Sequence, residues 1–143
     1  MEAELNELKT NILIKTFIKK FVQKNRRERS YFELSNKKRR AKFINRLSHN
    51  QNTIFEMKYL KQTNKKDDFE TIKKQINIKS KETCYIISHN EDFDNKYFPF
   101  DEIIAEIYYY PMPSIIINEA VDSIFLVTEH EAGSSAKYIG RNI

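Results

Sequence analysis

The stretch "SIIINEAVDSIFLVTEH", residues 114–130, holds two apolar runs rich in β-branched and aromatic side chains, parted by a short polar break. Such runs favour pleated strands over helix. "SIIIN" (114–118) and "DSIFLVTEH" (122–130) therefore read as strands, with "EAV" as the hairpin turn between them. Just upstream, "FPFDEIIAEIYYY" (98–110) has the marks of a helix: Pro99 in an N-terminal position and Asp101 and Glu102 in the first turn. Pro111 and Pro113 end that helix. Before it, "CYIIS" (84–88) reads as a buried strand and "SHNEDFDNKY" (88–97) as a loop, and downstream "AKYIG" (136–140) is a candidate for one more strand.

The first half has another style. Residues 3–25 read as helix, with Leu5, Leu8 and Ile12 on one stripe and Leu13, Ile14, Phe17, Ile18 and Phe21 on a second stripe about half a turn away. No Gly or Pro marks a break near Thr10, so one helix touching two partners is expected. Ser35 is read as the N-cap of a further helix over 36–48, whose apolar stripe is Phe43, Ile44 and Leu47. Tyr31, Phe32 and Leu34 then form an aromatic hinge between two basic helices. Arg40 projects close to the apolar face, where its stem packs. "TIFEMKYL" (53–60) fits either a strand or a helical turn. "DDFETIKKQI" (67–76) is a short helix with Phe69, Ile72 and Ile76 on one face. The expected architecture is α+β: a single domain over 1–143, with an N-terminal helical layer packed on a small, mostly antiparallel sheet.

Charge divides along the same line. Residues 1–80 carry 21 basic and 9 acidic side chains, and residues 81–143 carry 4 and 11. A basic, mainly helical part is thus followed by an acidic α/β part, which points to an anionic partner for one half or to attraction between the halves. Six of the seven Arg lie between Arg26 and Arg46. No apolar run reaches the ~18 residues of a membrane span. The N-terminus "MEAELNELKT" lacks an apolar signal region, and the single Cys84 forms no internal disulfide. These features fit a reducing cytoplasm.

Within this frame, "LSNKKRRAKFINRLSH" followed by "CYIIS-x9-FPFDEIIAEI" and a closing strand pair resembles a loosely defined family of small uncharacterised bacterial proteins. In that family a helical segment ending in Leu-x-His precedes a strand, an acidic loop, a short helix and a hairpin. The matched positions are Lys42, Phe43, Leu47 and His49, then Tyr85 to Ser88, Pro99 to Glu106 and Ile115 to Tyr138. The chain lacks the glycines expected in the acidic loop and the hairpin turn. The resemblance implies a fold and carries no activity.

The strongest chemical signal is the tract "KNRRERSYFELSNKKRR" (24–40), in which eight of 17 residues are Lys or Arg. Helical stripes of such side chains neutralise phosphates, and Tyr31 or Phe32 offers a ring to an unpaired base. The expected contacts are Arg26, Arg27, Arg29, Lys38, Arg39, Lys42 and Arg46. The plainer alternative is a solvated helix face, or a dock for an acidic protein partner. A second feature is "YYYPMPS" (108–114): three consecutive Tyr at a helix end cannot all face inward, so Tyr108, Tyr109, Tyr110 and Met112 form a candidate partner-binding corner.

Catalytic signals are weaker. His89 sits beside Glu91, Asp92 and Asp94, and His130 lies between Glu129 and Glu131, a set that two adjacent loops would bring together for a metal-dependent hydrolase. Its spacing matches no metal signature, so no bound metal is expected. Gly133, Ser134 and Ser135 lack the spacing of a nucleophile elbow, and Cys84 in its apolar strand reads as a packed thiol. His49 at a helix end reads as a cap for carbonyls. No Gly-rich phosphate loop occurs, and no cofactor is expected. The expected function is a non-catalytic binding protein that engages RNA or DNA backbone through its basic helices. The alternative is an adaptor or inhibitor, as in an immunity or antitoxin protein, docking on a protein partner.

Overall fold

The computed structural model describes residues 2–110, 112–128 and 135–143. Its centre is the hairpin of the opening stretch. To name its strands in chain order, β1 is Leu60–Gln62, β2 Thr83–Ser88, β3 Lys96–Pro99, β4 Ser114–Asn118, β5 Ser123–Thr128 and β6 Ala136–Arg141. They form one sheet in the order β1-β6-β5-β4-β2-β3, with every neighbouring pair antiparallel. Every residue of β4 and β5 is buried. Because side chains alternate faces along a strand, unbroken apolar runs require cover on both sides.

Both covers are present. Ile115, Ile117, Ile124 and Leu126 join Tyr85 and Ile87 in a core shared with the N-terminal helices. Ile116, Phe125 and Val127 join Cys84 and Ile86 in a second core under α5 (Phe69–Gln75) and α6 (Phe100–Tyr109). The expected helical layer on an antiparallel sheet is thus correct, and a second helical layer lies on the opposite face.

The N-terminal layer is built from α1 (Glu2–Phe21), α2 (Arg27–Leu34), α3 (Arg40–His49) and the short α4 (Gln51–Ile54). Helix α1 is unbroken. Its stripe Leu13, Ile14, Phe17, Ile18 and Phe21 is buried, whereas Leu5, Leu8 and Ile12 are 65%, 57% and 57% exposed. Among the described residues, then, the Leu5, Leu8 and Ile12 stripe is uncovered, and the expected second partner of α1 is not found. Thr10 on α1 shares a hydroxyl–hydroxyl hydrogen bond of 2.8 Å with Tyr97 on β3, and Lys9 meets Glu119 at 2.7 Å.

Three local expectations change. Ser35 does not start α3; it closes α2, its N–H donating to the Tyr31 carbonyl at 2.9 Å. Tyr31, Phe32 and Leu34 therefore lie inside α2, and the break falls at residues 35–39, where Asn36 Oδ1 accepts the Lys38 N–H. A short Asx turn competes with helix here. "TIFEMKYL" becomes the end of α4, a bridge from Phe55 to Val22, a 3-10 turn over Met57–Tyr59 and the start of β1. Lys96 and Tyr97 of the predicted loop, together with Phe98 and Pro99 from the start of the predicted helix, form edge strand β3.

Other expectations hold. The short helix predicted within 67–76 forms as α5, where the structure adds a cap, Asp68 accepting the Thr71 N–H at 2.9 Å; Pro99 precedes α6, and β6 forms from "AKYIG" and Arg141. The hairpin turn works without glycine: Asn118 Oδ1 accepts the N–H groups of Asp122 and Ser123, both at 3.1 Å. Val121 adopts φ 54°, a left-handed conformation unusual for a β-branched residue, and its side chain is buried. Gly140 is required by close approach, since a Cβ there would stand 2.5 Å from Ile124 Cγ1 and 2.7 Å from Leu60 Cδ2. No helix among the described residues is long and apolar enough to cross a membrane.

Phe43, 1% exposed, fills the middle of the α3 contact with the core. Phe43→Ala is expected to cost about 3–5 kcal/mol in denaturant unfolding. Leu8→Ala, on the uncovered stripe, should stay within about 0.5 kcal/mol of the parent. Equal losses at the two positions would show that the stripes are assigned wrongly.

Candidate nucleic-acid interface

Helices α2 and α3 lie side by side in opposite directions, because Leu34 at the end of α2 meets Arg40 at the start of α3, while Arg29 and Ser30 near the start of α2 line one depression with Phe43 and Arg46 of α3. On α3 and its N-cap, Arg39, Lys42 and Arg46 recur at spacings of three and four and share one stripe. Arg26 and Arg29 have the same relation at the start of α2. Arg26, Arg29 and Arg46 line one shallow depression with Ser30, Phe43 and Thr53.

One carboxylate pairs with two of these three guanidiniums. Glu33, 3% exposed, takes Arg46 on Oε1 and Arg29 on Oε2, the latter at 3.7 Å. Burial, and then the like charges of Arg29 and Arg26, hold the Arg46 pKa below its ordinary value. Positive charge is thus crowded here and only partly offset. Beyond the depression, Arg39 lays its guanidinium 4.4 Å from the centroid of the Phe32 ring. The ion pairs among the described residues are Lys9–Glu119, Arg29–Glu33, Arg40–Asp94, Arg46–Glu33 and Lys81–Asp101, so Lys38, Arg39 and Lys42 have no carboxylate partner among them.

The seven predicted cations divide accordingly. Arg26, Arg29, Arg39, Lys42 and Arg46 fall on the two stripes, and Lys38 lies exposed in the turn between them. Arg27 is half-buried and donates from Nε to the Val22 carbonyl at 3.1 Å, holding the start of α2. Tyr31 is half-buried against the helical core, with the Lys15 ammonium 5.3 Å from its ring centroid. Phe32 is 52% exposed.

Arg40 has a different task that the sequence does not reveal. It is 4% exposed and grips Asp94 through Nε at 2.9 Å and Nη2 at 2.8 Å, while Nη1 donates to the Leu34 carbonyl at 2.9 Å. Asp94 Oδ1 also accepts the Ser88 N–H at 2.9 Å. Burial disfavours the Arg40 cation, but the hydrogen bond with Asp94 and the neighbouring Tyr85 outweigh it and leave its pKa above the ordinary value. This clip ties the basic helices to the acidic β2–β3 loop. Beside it opens a cleft of about 510 Å³, with Lys37, Ile44, His89, Glu91, Asp94 and Lys96 among its walls. Asn95 there adopts φ 60° and accepts the Tyr85 hydroxyl at 2.6 Å.

At the far end of α6, Tyr109 is 59%, Tyr110 71% and Met112 38% exposed. Tyr108 and Tyr109 pack on Phe69, with ring centroids 4.8 and 5.1 Å away. Glu129, His130, Glu131, Gly133 and Ser134 lie outside the described residues, as does Pro111. Among the described residues no three His, Cys, Asp or Glu side chains gather in a metal-holding group. Cys84 is fully buried, and burial, followed by the charges of Glu82 and Glu119, pushes its thiol up to about 12. His49 is exposed, and α3 closes on Asn50, whose N–H donates to Arg46 O.

Comparison with family models, curated proteins and solved structures returns no match, so the reading of function rests on this geometry.

Two measurements check it. Asp94→Ala strands the buried Arg40 charge and is expected to cost about 3–5 kcal/mol, whereas Lys38→Gln in the exposed turn should leave stability unchanged. A small loss from Asp94→Ala would show that the clip does not hold the two halves. Cys84 should resist a thiol reagent at pH 8 in the folded protein and react once denatured, since thiolate is scarce that far below its pKa. Fast labelling of the native state would contradict the burial of β2.

Proposed function

We propose that the protein is a non-catalytic binding protein whose α2–α3 face holds a polyanion, the backbone of RNA or DNA. The observation that carries this reading is the crowding of Arg26, Arg29 and Arg46 along one depression, where the Glu33 carboxylate pairs with Arg29 and Arg46. Like charges this close raise the energy of the free surface, and phosphate oxygens relieve it. Arg39 and Lys42 continue the same stripe toward the turn that bears Lys38. Arginine suits the task, since its planar fork meets phosphate through two parallel hydrogen bonds. Nothing in this face reads base edges, so binding rests on charge and position.

A second reading draws on a different observation. The exposure of Tyr109, Tyr110 and Met112 beside the Phe69–Tyr108 stack favours a protein partner at that corner, as in an adaptor or inhibitor.

Salt dependence tests the first reading. Phosphate contacts release counterions, so with about six contacts the log–log slope of affinity against salt should lie near −5 for duplex DNA. Changing Lys38, Arg39 and Lys42 together to Gln should lower the slope by about three units, since each lost contact removes nearly one. Gln barely alters helix propensity, and Arg46 is left in place because it serves Glu33. The measurement is a titration of RNA and DNA oligomers at several salt concentrations. Absence of binding at low salt, or an unchanged slope in the triple variant, overturns the reading. A protein partner that remains bound to the triple variant would move the assignment to the tyrosine corner.

A further inference from the structure

Phe32 stands out on α2. Its neighbours Glu33 and Leu34 are buried, yet its ring is 52% exposed at the end of the cationic stripes. A bare aromatic ring on a helix surface is unfavourable in water. Its cover is the Arg39 guanidinium, a flat cation 4.4 Å from the ring centroid. Guanidinium over ring is a cation–π pair, and both a guanidinium plane and an aromatic ring are surfaces on which a nucleobase stacks. Arg39 also belongs to the stripe of Lys42 and Arg46, so the stacking surface lies in line with the phosphate contacts. Tyr31, the adjacent ring, is half-buried and already faces Lys15.

A duplex keeps its base faces inside its own stack. A stacking surface set among phosphate contacts therefore serves only unpaired bases. We infer that this surface takes a single strand, with one unpaired nucleobase extending the Arg39–Phe32 stack while Lys38 and Lys42 hold the flanking phosphates. The inference rests on the polyanion reading above and adds the form of nucleic acid. Recognition is of a base face rather than a base edge, so the preference tolerates sequence.

The test uses three oligomers of equal phosphate count: a single strand, the same strand made abasic, and a duplex. Each that carries bases is made as RNA and as DNA. The full chain is compared with Phe32→Ala and Phe32→Tyr at one salt concentration. The parent should bind the base-bearing strand roughly tenfold or more tighter than the abasic strand. Phe32→Ala should erase that ratio and leave duplex and abasic affinities as they were, while Phe32→Tyr should keep it. The Phe32 side chain is exposed, so the melting temperature should not move. A preference shown by RNA alone, or by DNA alone, supports the inference and names the source of the base. If base-bearing and abasic strands bind alike, or Phe32→Ala keeps the ratio, the inference fails and backbone binding stands. If no oligomer binds at low salt, both readings fall together.

Discussion

The two central strands have no polar face. Ile115, Ile116 and Ile117 on β4 and Ile124 through Val127 on β5 are all buried, so the sheet cannot leave either side to water. Each buried side chain of this size is worth roughly 1.5–3 kcal/mol, and losing one cover would expose half of them. The N-terminal helices and the α5–α6 pair are thus two answers to one requirement. Antiparallel sheets commonly leave one face in solvent, and this one cannot. The placement of every surface feature follows, because α2 and α3 present outward whatever the core does not take.

What the core does not take is mainly positive charge. The arginines of the tract share a composition but not a role. Arg40 turns inward to Asp94, Arg27 to a carbonyl and Arg46 to Glu33, whereas Arg39 lies on the outside over Phe32. Exposed ion pairs are weak, so the outer cations add little to folding. The buried Arg40–Asp94 pair is different, because removing one partner leaves the other without compensation in a dry site. The Arg40–Asp94 pair is thus a buried ionic link between the basic and acidic halves, the Lys9–Glu119 pair an exposed one, and most of the basic charge stays on the surface.

Local patterning made most of the elements legible. The β4–β5 runs, the Pro99-led helix, the short helix after Asp68 and the first helix all follow from short-range rules that the structure respects. The errors arose where two local rules compete. Ser35 fits an N-cap by residue type, yet Asn36 forms the tighter turn and moves the start of α3 to Arg40. The edge strand β3 hid in a polar loop because an edge strand need not be apolar. Within the candidate site, the cationic stripe was readable from spacing. The partners that sort its members were not: Glu33 and Asp94 carry no local mark of burial, and Asp94 reaches Arg40 across 54 positions. That Phe32 rather than Tyr31 is exposed depends on how α2 is rotated against α1, which composition does not fix.

The order of strands also constrains how the chain acquires its shape. Among the described residues strand β1 pairs only with β6, and β6 lies between β1 and β5. Until β6 has been synthesised, β1 has no ladder and β5 shows a naked inner edge. The helical layer can gather early around Phe17, Phe43 and Phe55, since its contacts are short in sequence, but the sheet must wait for its long-range closure. During that wait an apolar strand with unpaired N–H and C=O groups is open to pairing with other chains. Strand β6, the next in the chain after β5, covers that edge, so what remains for last is the β1–β6 ladder, which closes a loop from Leu60 to Gly140 and ties the helical segment to the finished sheet.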